Sequence, residues 1–241
     1  MPEAVTVPDL PSKDSARIRA MFGRVARRYD LLNHLLSASL DRIWRRDLVS
    51  ALELDPGADV LDLCCGTGDQ AEALRRSRVQ VVAADFCLPM LALARPKFAR
   101  GEAPAPRPLQ ADALALPLPD RRFDAVTVSF GLRNVADLDA ALAEIARVLR
   151  PGGELGVLEF AIPVWQPLRW IYLFYFRRLL PWIGRRVSAD KGAYDYLPES
   201  VLGFPQRDGF LARLEANGFT RTSFRSLSGG ILCLYRGRNR A

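Results

Sequence analysis

The chain has 241 residues, 49% of them hydrophobic and 25% charged, enough to bury a substantial core in one α/β domain with some decoration. A formal net charge of +7 directs attention to an anionic partner, either nucleic acid or a phospholipid surface. One histidine, and four cysteines (Cys64, Cys65, Cys87, Cys233) without C-x-x-C spacing, argue against a zinc site and for small buried hydrophobes in a reducing compartment. No apolar run approaches the roughly 18 residues of a membrane-spanning helix, and the start of the chain lacks a basic-then-apolar signal region. The expectation is a cytoplasmic protein.

Residues 1–13 carry three prolines and little periodicity, and read as a flexible tail ahead of a single domain over 14–241. Ile18, Met21, Phe22 and Val25 have helical spacing. They lead into the polar and aromatic cluster Tyr29-Asp30-Leu31-Leu32-Asn33-His34. Residues 14–55 can thus fold over a cleft as a lid; the alternative is a solvated helix end with Tyr29 half buried. Asp41 is placed to cap a further helix through Trp44, Leu48 and Val49, closed by Pro56-Gly57.

Val60-Leu61-Asp62-Leu63 then runs into Cys64-Cys65-Gly66-Thr67-Gly68-Asp69, and a helical pattern follows through Ala71, Ala73 and Leu74. Strand, small-residue turn and helix in that order form the first crossover of a nucleotide-binding α/β domain. Gly66 and Gly68 let the backbone bend sharply and let a ligand approach it, while the new helix offers unpaired N–H groups. The next buried strand, Val79 to Ala84, ends at Asp85. An acid about 20 residues past such a turn is placed to accept hydrogen bonds from ribose hydroxyls. The turn lacks the three glycines of a dinucleotide site; its pattern, acid-x-small-x-Gly-x-Gly led by Asp62, resembles the first motif of class I methyltransferases, whose cofactor carries no phosphate.

A second crossover helix follows from Leu88, then a short strand into Leu109-Gln110 and the loop Ala111-Asp112-Ala113. Asp112 there can bond an adenine amino group, with Ala113 leaving room for the ring. Phe123 to Phe130 is the clearest strand, β-branched and apolar, and it ends in Gly131-Leu132-Arg133-Asn134-Val135. A helix from Leu138 to Leu149, a Pro151-Gly152-Gly153 turn and a strand from Glu154 to Phe160 come next. Asp62, Asp85, Asp112, Ser129 to Asn134 and Glu159 are thereby expected along one edge, outside the carboxyl ends of the strands.

Residues 161–203 read as an inserted helical segment. From Trp165 to Val187 it mixes Trp165, Trp170, Tyr172, Phe174, Tyr175 and Trp182 with Arg169, Arg177, Arg178, Arg185 and Arg186. Rings that bury at a headgroup boundary beside guanidinium groups suit transient contact with an anionic membrane surface, on the inner face of the cytoplasmic membrane. The alternatives are a helix packed over the sheet, or burial of the same face in a homodimer. A helix from Phe204 to Asn217-Gly218 and a hairpin, Phe219–Leu227 with Ile231–Tyr235, complete a mostly parallel sheet with an antiparallel edge.

Taken together, Tyr29-Asp30-Leu31-Leu32-Asn33, Leu61 to Asp69, Phe130-Gly131-Leu132-Arg133-Asn134, Leu149 to Gly153, Leu158-Glu159-Phe160 and Tyr194 to Ser200 resemble the quinone-ring C-methyltransferases of ubiquinone and menaquinone biosynthesis. One departure is Leu234-Tyr235-Arg236-Gly237, without the histidine often found before that glycine. The resemblance implies a class I S-adenosylmethionine-dependent methyltransferase fold, Rossmann-like, with a seven-stranded sheet. It also implies S-adenosylmethionine as cofactor, contacted by Thr67, Asp85, Asp112, Ala113 and Ser129 beside Asp62, Gly66 and Gly68, and a lipophilic polyprenyl quinol as substrate.

A ring carbon is a poor nucleophile unless an adjacent hydroxyl ionises, so the acceptor should be the reduced quinol. Arg133 is expected to stabilise the developing phenolate through an ordered water, with Asn134 and Tyr29 orienting the ring. Arg133 itself stays protonated, which leaves His34 and Asp30 as the candidate proton acceptors. Demethylmenaquinol is favoured over a benzoquinol. A nucleic-acid methyltransferase is the rival suggested by charge, but Ser129-Phe130-Gly131-Leu132 lacks the Pro-Pro-aromatic pattern of adenine amino methylation. A non-catalytic scaffold would need none of the cofactor positions.

Overall fold

The computed structural model describes residues 16–24, 26, 37, 39–100, 104–175, 178 and 192–240. Residues 16–24 are helical (α1). The elements that follow are α2 (Asp41–Ala51), β1 (Asp59–Leu63), α3 (Asp69–Arg75), β2 (Gln80–Asp85), α4 (Leu88–Ala99), β3 (Arg107–Gln110) and β4 (Phe123–Ser129). After a 3-10 turn, Leu132–Asn134, come α5 (Leu138–Val148), β5 (Leu149–Phe160), α6 (Gln166–Phe174), α7 (Gly192–Leu202), α8 (Asp208–Ala216), β6 (Phe219–Leu227) and β7 (Leu232–Asn239).

The seven strands form one sheet in the order β3-β2-β1-β4-β5-β7-β6. β1 pairs parallel with both β2 and β4, and β7 runs antiparallel to β5 and β6, the edge expected from the sequence. Strand order reverses between β1 and β4, and a crevice opens at such a switch point beyond the carboxyl ends.

Alternation along the strands divides the core into two layers. Val60, Val81, Ala83 and Ala125 pack with Trp44, Leu48, Leu74, Leu91 and Phe98 on the α2–α3–α4 side. Leu61, Leu63, Val126 and Val128 pack with Leu142, Ile145, Phe210 and Leu214 on the α5–α8 side. A strand buried on both faces reads as a continuous apolar run, as Val81-Val82-Ala83-Ala84 of β2 does. α5 starts because Asp137 caps it, its side chain accepting from the Ala140 N–H at 3.1 Å. Its Ala141, Leu142, Ile145 and Val148 form the inward stripe.

Three local expectations are corrected. Asp41 does not cap α2: it is the first helical residue, buried, and its carboxylate accepts from Ser37 Oγ at 2.8 Å. Pro151-Gly152-Gly153 does not separate β5 from α5, because Leu149 already pairs with Phe123 and the strand absorbs the glycines as an irregularity in register. The helix placed from Phe204 starts only at Asp208, after Arg207 adopts a positive φ of 52°. The tail 1–13 and the segment 179–187 lie outside the described residues, as do Tyr29, Asp30 and His34.

Candidate active site

A cavity sits at the switch point. Its walls come from the end of β1 (Leu63, Cys64, Gly66), the end of β2 (Asp85, Phe86), Met90 of α4, the Ala111-Asp112-Ala113 loop, and Ser129-Phe130-Gly131 with Asn134-Val135-Ala136. Phe22 of α1 also lines it. The helix is held there by Arg19 lying over the Phe86 ring, 5.4 Å from its centroid, and by packing of Phe22 and Ala26 beside Cys87 and Met90.

The two loops that begin the cavity are tightly wound. Cys64 has a φ of +55° and Phe130 a φ of +63°, uncommon for residues with a side chain. Gly131 is required between them, since a β-carbon there would lie 2.4 Å from Cys64 Cβ. Gly68 is required for a different reason: it caps α3 at φ +88°, and a β-carbon would lie 2.5 Å from the Phe98 ring. Gly66 instead borders the cavity, with open space where a β-carbon would stand. The first glycine leaves room for a ligand; the second leaves room for α4.

Asp85 is the most constrained acid in the wall. Its Oδ2 accepts from the Gly66 N–H and its Oδ1 from the Cys87 N–H, both at 2.8 Å. Burial pushes the Asp85 carboxyl above the usual carboxylate range, and the two backbone N–H groups oppose that shift. The carboxylate is thus fixed in one plane, with further lone pairs able to accept from a diol. Asp112 accepts from the Leu114 N–H through Oδ1 at 3.0 Å, an Asx turn that leaves Oδ2 to a ligand. Ala113, Leu63 and Met90 add apolar surface suited to a planar base. Ser129 Oγ donates to Gln70 Oε1 at 3.2 Å. The wall holds two carboxylates and, among the described residues, no cationic side chain. That donor and acceptor set fits a cofactor with a ribose, an adenine and a cationic centre, and no phosphate.

Not every residue singled out from the sequence reaches this cavity. Asp85, Asp112, Ala113, Ser129, Gly66 and Asn134 line it; Asp62, Thr67, Gly68 and Arg133 do not. Asp62 is wholly buried under the turn, where Oδ1 accepts from Thr127 Oγ1 at 2.9 Å. Strand parity explains this, for Asp62 shares the Val60 side of β1 and faces α2 and α3. Burial pushes its carboxyl from 3.8 to about 7, against the Thr127 hydroxyl and the more distant Arg45 charge, which favour the ionised form.

The consequence for stability has a definite sign. Between pH about 4 and 7 the folded chain keeps a proton that the unfolded chain has released, so stability falls as pH rises through that window. Asp62→Asn keeps an acceptor for Thr127 and removes the buried charge. It should match the native chain near pH 4 and exceed it by up to about 4 kcal/mol at pH 8. Urea titrations at the two pH values check this, and an equal gain at both would reject it.

Arg133 departs furthest from expectation. It is 5% exposed, and its Nη1 donates to Glu159 Oε2 at 2.8 Å and to the Phe130 carbonyl at 2.5 Å. Its guanidinium lies over the Phe160 ring, 5.5 Å from the centroid, and Phe160 packs on Phe130 at 4.8 Å. Glu159 Oε1 also accepts from the Arg133 backbone N–H at 3.3 Å. The guanidinium therefore sits behind the Phe130–Asn134 stretch of the cavity wall and shapes it. Sequence reasoning placed Glu159 on this edge without pairing it with Arg133, and it gave no site role to Phe22, Cys64, Phe86, Met90 or Tyr196.

Comparison with known proteins agrees with this geometry. The sequence profile of the ubiE/COQ5 methyltransferase family matches residues 11–239. A demethylmenaquinone methyltransferase of Thermus thermophilus is 49% identical over 220 residues, spanning 90% of this chain and 99% of the relative. One of Parafrankia sp. is 45% identical over 239 residues, spanning 93% and 94%. Among solved structures, a SAM-dependent methyltransferase from Thermotoga maritima superimposes with a TM-score of 0.65 at 18% identity, over 92% of this chain and all of the other, a likeness of fold. With a class I sheet, a phosphate-free cofactor cavity and a match along nearly its whole length, the chain belongs to the ubiE/COQ5 methyltransferase family and is an S-adenosylmethionine-dependent methyltransferase.

Proposed function

We propose that this chain moves a methyl group from S-adenosylmethionine to the ring carbon of a polyprenylated demethylmenaquinol. The observation that carries this is near-complete coverage of relatives at 45–49% identity, each named a demethylmenaquinone methyltransferase. Asp85 would hold the ribose, Asp112 the adenine amino group, and the Gly66 turn the methionine end, with Thr67 and Asp62 supporting that turn from beneath. The cofactor supplies a methyl group on a sulfonium; alignment with the acceptor carbon is the protein's contribution. α1, with Phe22 over the cavity, acts as the lid that excludes water. Asn134 would face the acceptor; Tyr29 is assigned to orienting the ring, and His34 or Asp30 to taking the proton. Arg133 contributes from behind the loop, through its field and by fixing the Phe130 carbonyl.

The test is methyl transfer from labelled S-adenosylmethionine to short-tailed demethylmenaquinol, with a demethylated benzoquinol and the oxidised quinones run in parallel. Label entering the reduced naphthoquinol alone is the expected result. Label entering the benzoquinol instead would overturn the substrate, and label in neither would overturn the acceptor class.

A long isoprenoid tail has to be met at a lipid surface, and one face is suited to that. Val164, Trp165, Trp170, Ile171 and Phe174 are 59–75% exposed along α6, beside exposed Arg169 and Arg178, while Tyr172 turns inward against Val201. Among the described residues, no helix is long and apolar enough to cross a membrane. This face, with the net charge of +7, would dock on anionic headgroups. Trp165→Ser with Trp170→Ser should lower partitioning onto phosphatidylglycerol vesicles roughly ten-fold or more. Turnover of a short-tailed acceptor should stay as it was. Unchanged partitioning, or loss of a dimer in its place, would overturn the lipid assignment.

A further inference from the structure

Asn134 ends the 3-10 turn, lines the cavity and is held from outside it. Its Nδ2 lies 3.3 Å from the Phe130 carbonyl, and its Oδ1 lies 3.1 Å from the hydroxyl of Tyr196 in α7. A carbonyl oxygen can only accept, so the amide nitrogen must face Phe130 and the amide oxygen must face Tyr196. It follows that Tyr196 is the donor. Burial pushes the Tyr196 hydroxyl above its usual ionisation range, against the nearby Arg133 charge, and so preserves that donor. Tyr196 itself does not border the cavity.

An amide nitrogen carries two N–H groups, and the Phe130 carbonyl takes one. We propose that Tyr196 is a positioning residue for the methyl acceptor, locking the Asn134 carboxamide so that its second N–H is presented to the acceptor oxygen beside the carbon that is methylated. The proposal rests on the quinol reading above. Without the hydroxyl, the carboxamide is held only by the long bond to Phe130, and its terminal torsion is broad. The donor would then be misplaced at the moment negative charge grows on the acceptor oxygen.

The lock has an origin distant in sequence, because Tyr196 and Asn134 are 62 residues apart. It joins α7 to the loop after β4 through Asn134, and Tyr196 itself stays clear of the cavity. Tyr196→Phe keeps the ring and its packing and removes one O–H. It should lower kcat about ten-fold on short-tailed demethylmenaquinol, and leave the dissociation constant for S-adenosylmethionine unchanged.

The decisive measurement is a double-mutant cycle with Asn134→Ala. If Tyr196 acts through Asn134, Tyr196→Phe has no further effect on kcat once Asn134 is alanine. A loss that persists undiminished in the Asn134→Ala background would overturn the proposal, as would a native kcat for Tyr196→Phe alone. An unmodified enzyme that transfers no label to the quinol would instead reject the acceptor reading, and this proposal with it. Thermal melts of all four proteins accompany the cycle, and a fall of no more than about a few degrees is expected for Tyr196→Phe, too small to account for a roughly ten-fold loss of kcat.

Discussion

Replacing Arg133 with alanine should cost about 3–5 kcal/mol of folding stability, because it leaves the Glu159 carboxylate buried without its cation. The side chains concerned are 6% and 1% exposed, so water does little to screen the loss. The Phe130 carbonyl loses its shortest donor at the same time, and the Phe160 face loses a cation. For a chain of this size the melting temperature should fall on the order of 10 °C. Inactivity of the single variant would therefore say little about chemistry.

The informative protein is Arg133→Met with Glu159→Leu, which exchanges the ion pair for apolar groups of similar length. It should recover most of the stability, since a buried pair is often no better than well-packed hydrocarbon. It should not recover turnover if the charge behind the loop stabilises the acceptor oxyanion. A stable double variant with native kcat would remove Arg133 from the chemistry altogether.

The second large effect concerns Asp85. With both carboxylate oxygens pinned by the Gly66 and Cys87 N–H groups, the residue is already oriented before a ligand arrives. Two hydroxyl bonds to a charged acceptor at about 1.5–3 kcal/mol each predict a loss of roughly 10²-fold or more in S-adenosylmethionine affinity for Asp85→Ala. Asp85→Asn should be no better, because its NH2 group would confront one of two backbone donors. Burial also makes the native interaction acid-sensitive: affinity should fall as pH drops through the raised Asp85 pKa, earlier than for an ordinary carboxylate. Calorimetric titration with S-adenosylhomocysteine checks both, and an Asp85→Ala dissociation constant within three-fold of the native one would exclude the ribose role.

The strands and crossover helices were legible in the chain because each is a local statement. β4 is a β-branched and largely apolar run, and α5 announces itself through one apolar stripe. Asp85 and Asp112 were legible for the same reason, each lying just past a strand end. What the sequence concealed is pairing at a distance. Arg133 and Glu159 are 26 residues apart and Asn134 and Tyr196 are 62 apart, and no periodicity joins them. Asp41 shows the opposite failure, a residue type that suits a cap but is drawn inside by burial. Asp62 could have been assigned correctly from parity alone, since it alternates with Leu61 and Leu63 along β1.

The contact between Gly131 and Cys64 bears on how this sequence can drift. The turn after β1 and the loop after β4 touch with no slack, the Cys64 β-carbon against the Gly131 backbone. Residue 131 cannot gain a side chain while residue 64 keeps its β-carbon, and Val128 Cγ1, 3.1 Å from where the new β-carbon would stand, crowds it further. The two loops are thereby tied in space, and a graft that brings a side chain to position 131 has to change position 64 as well.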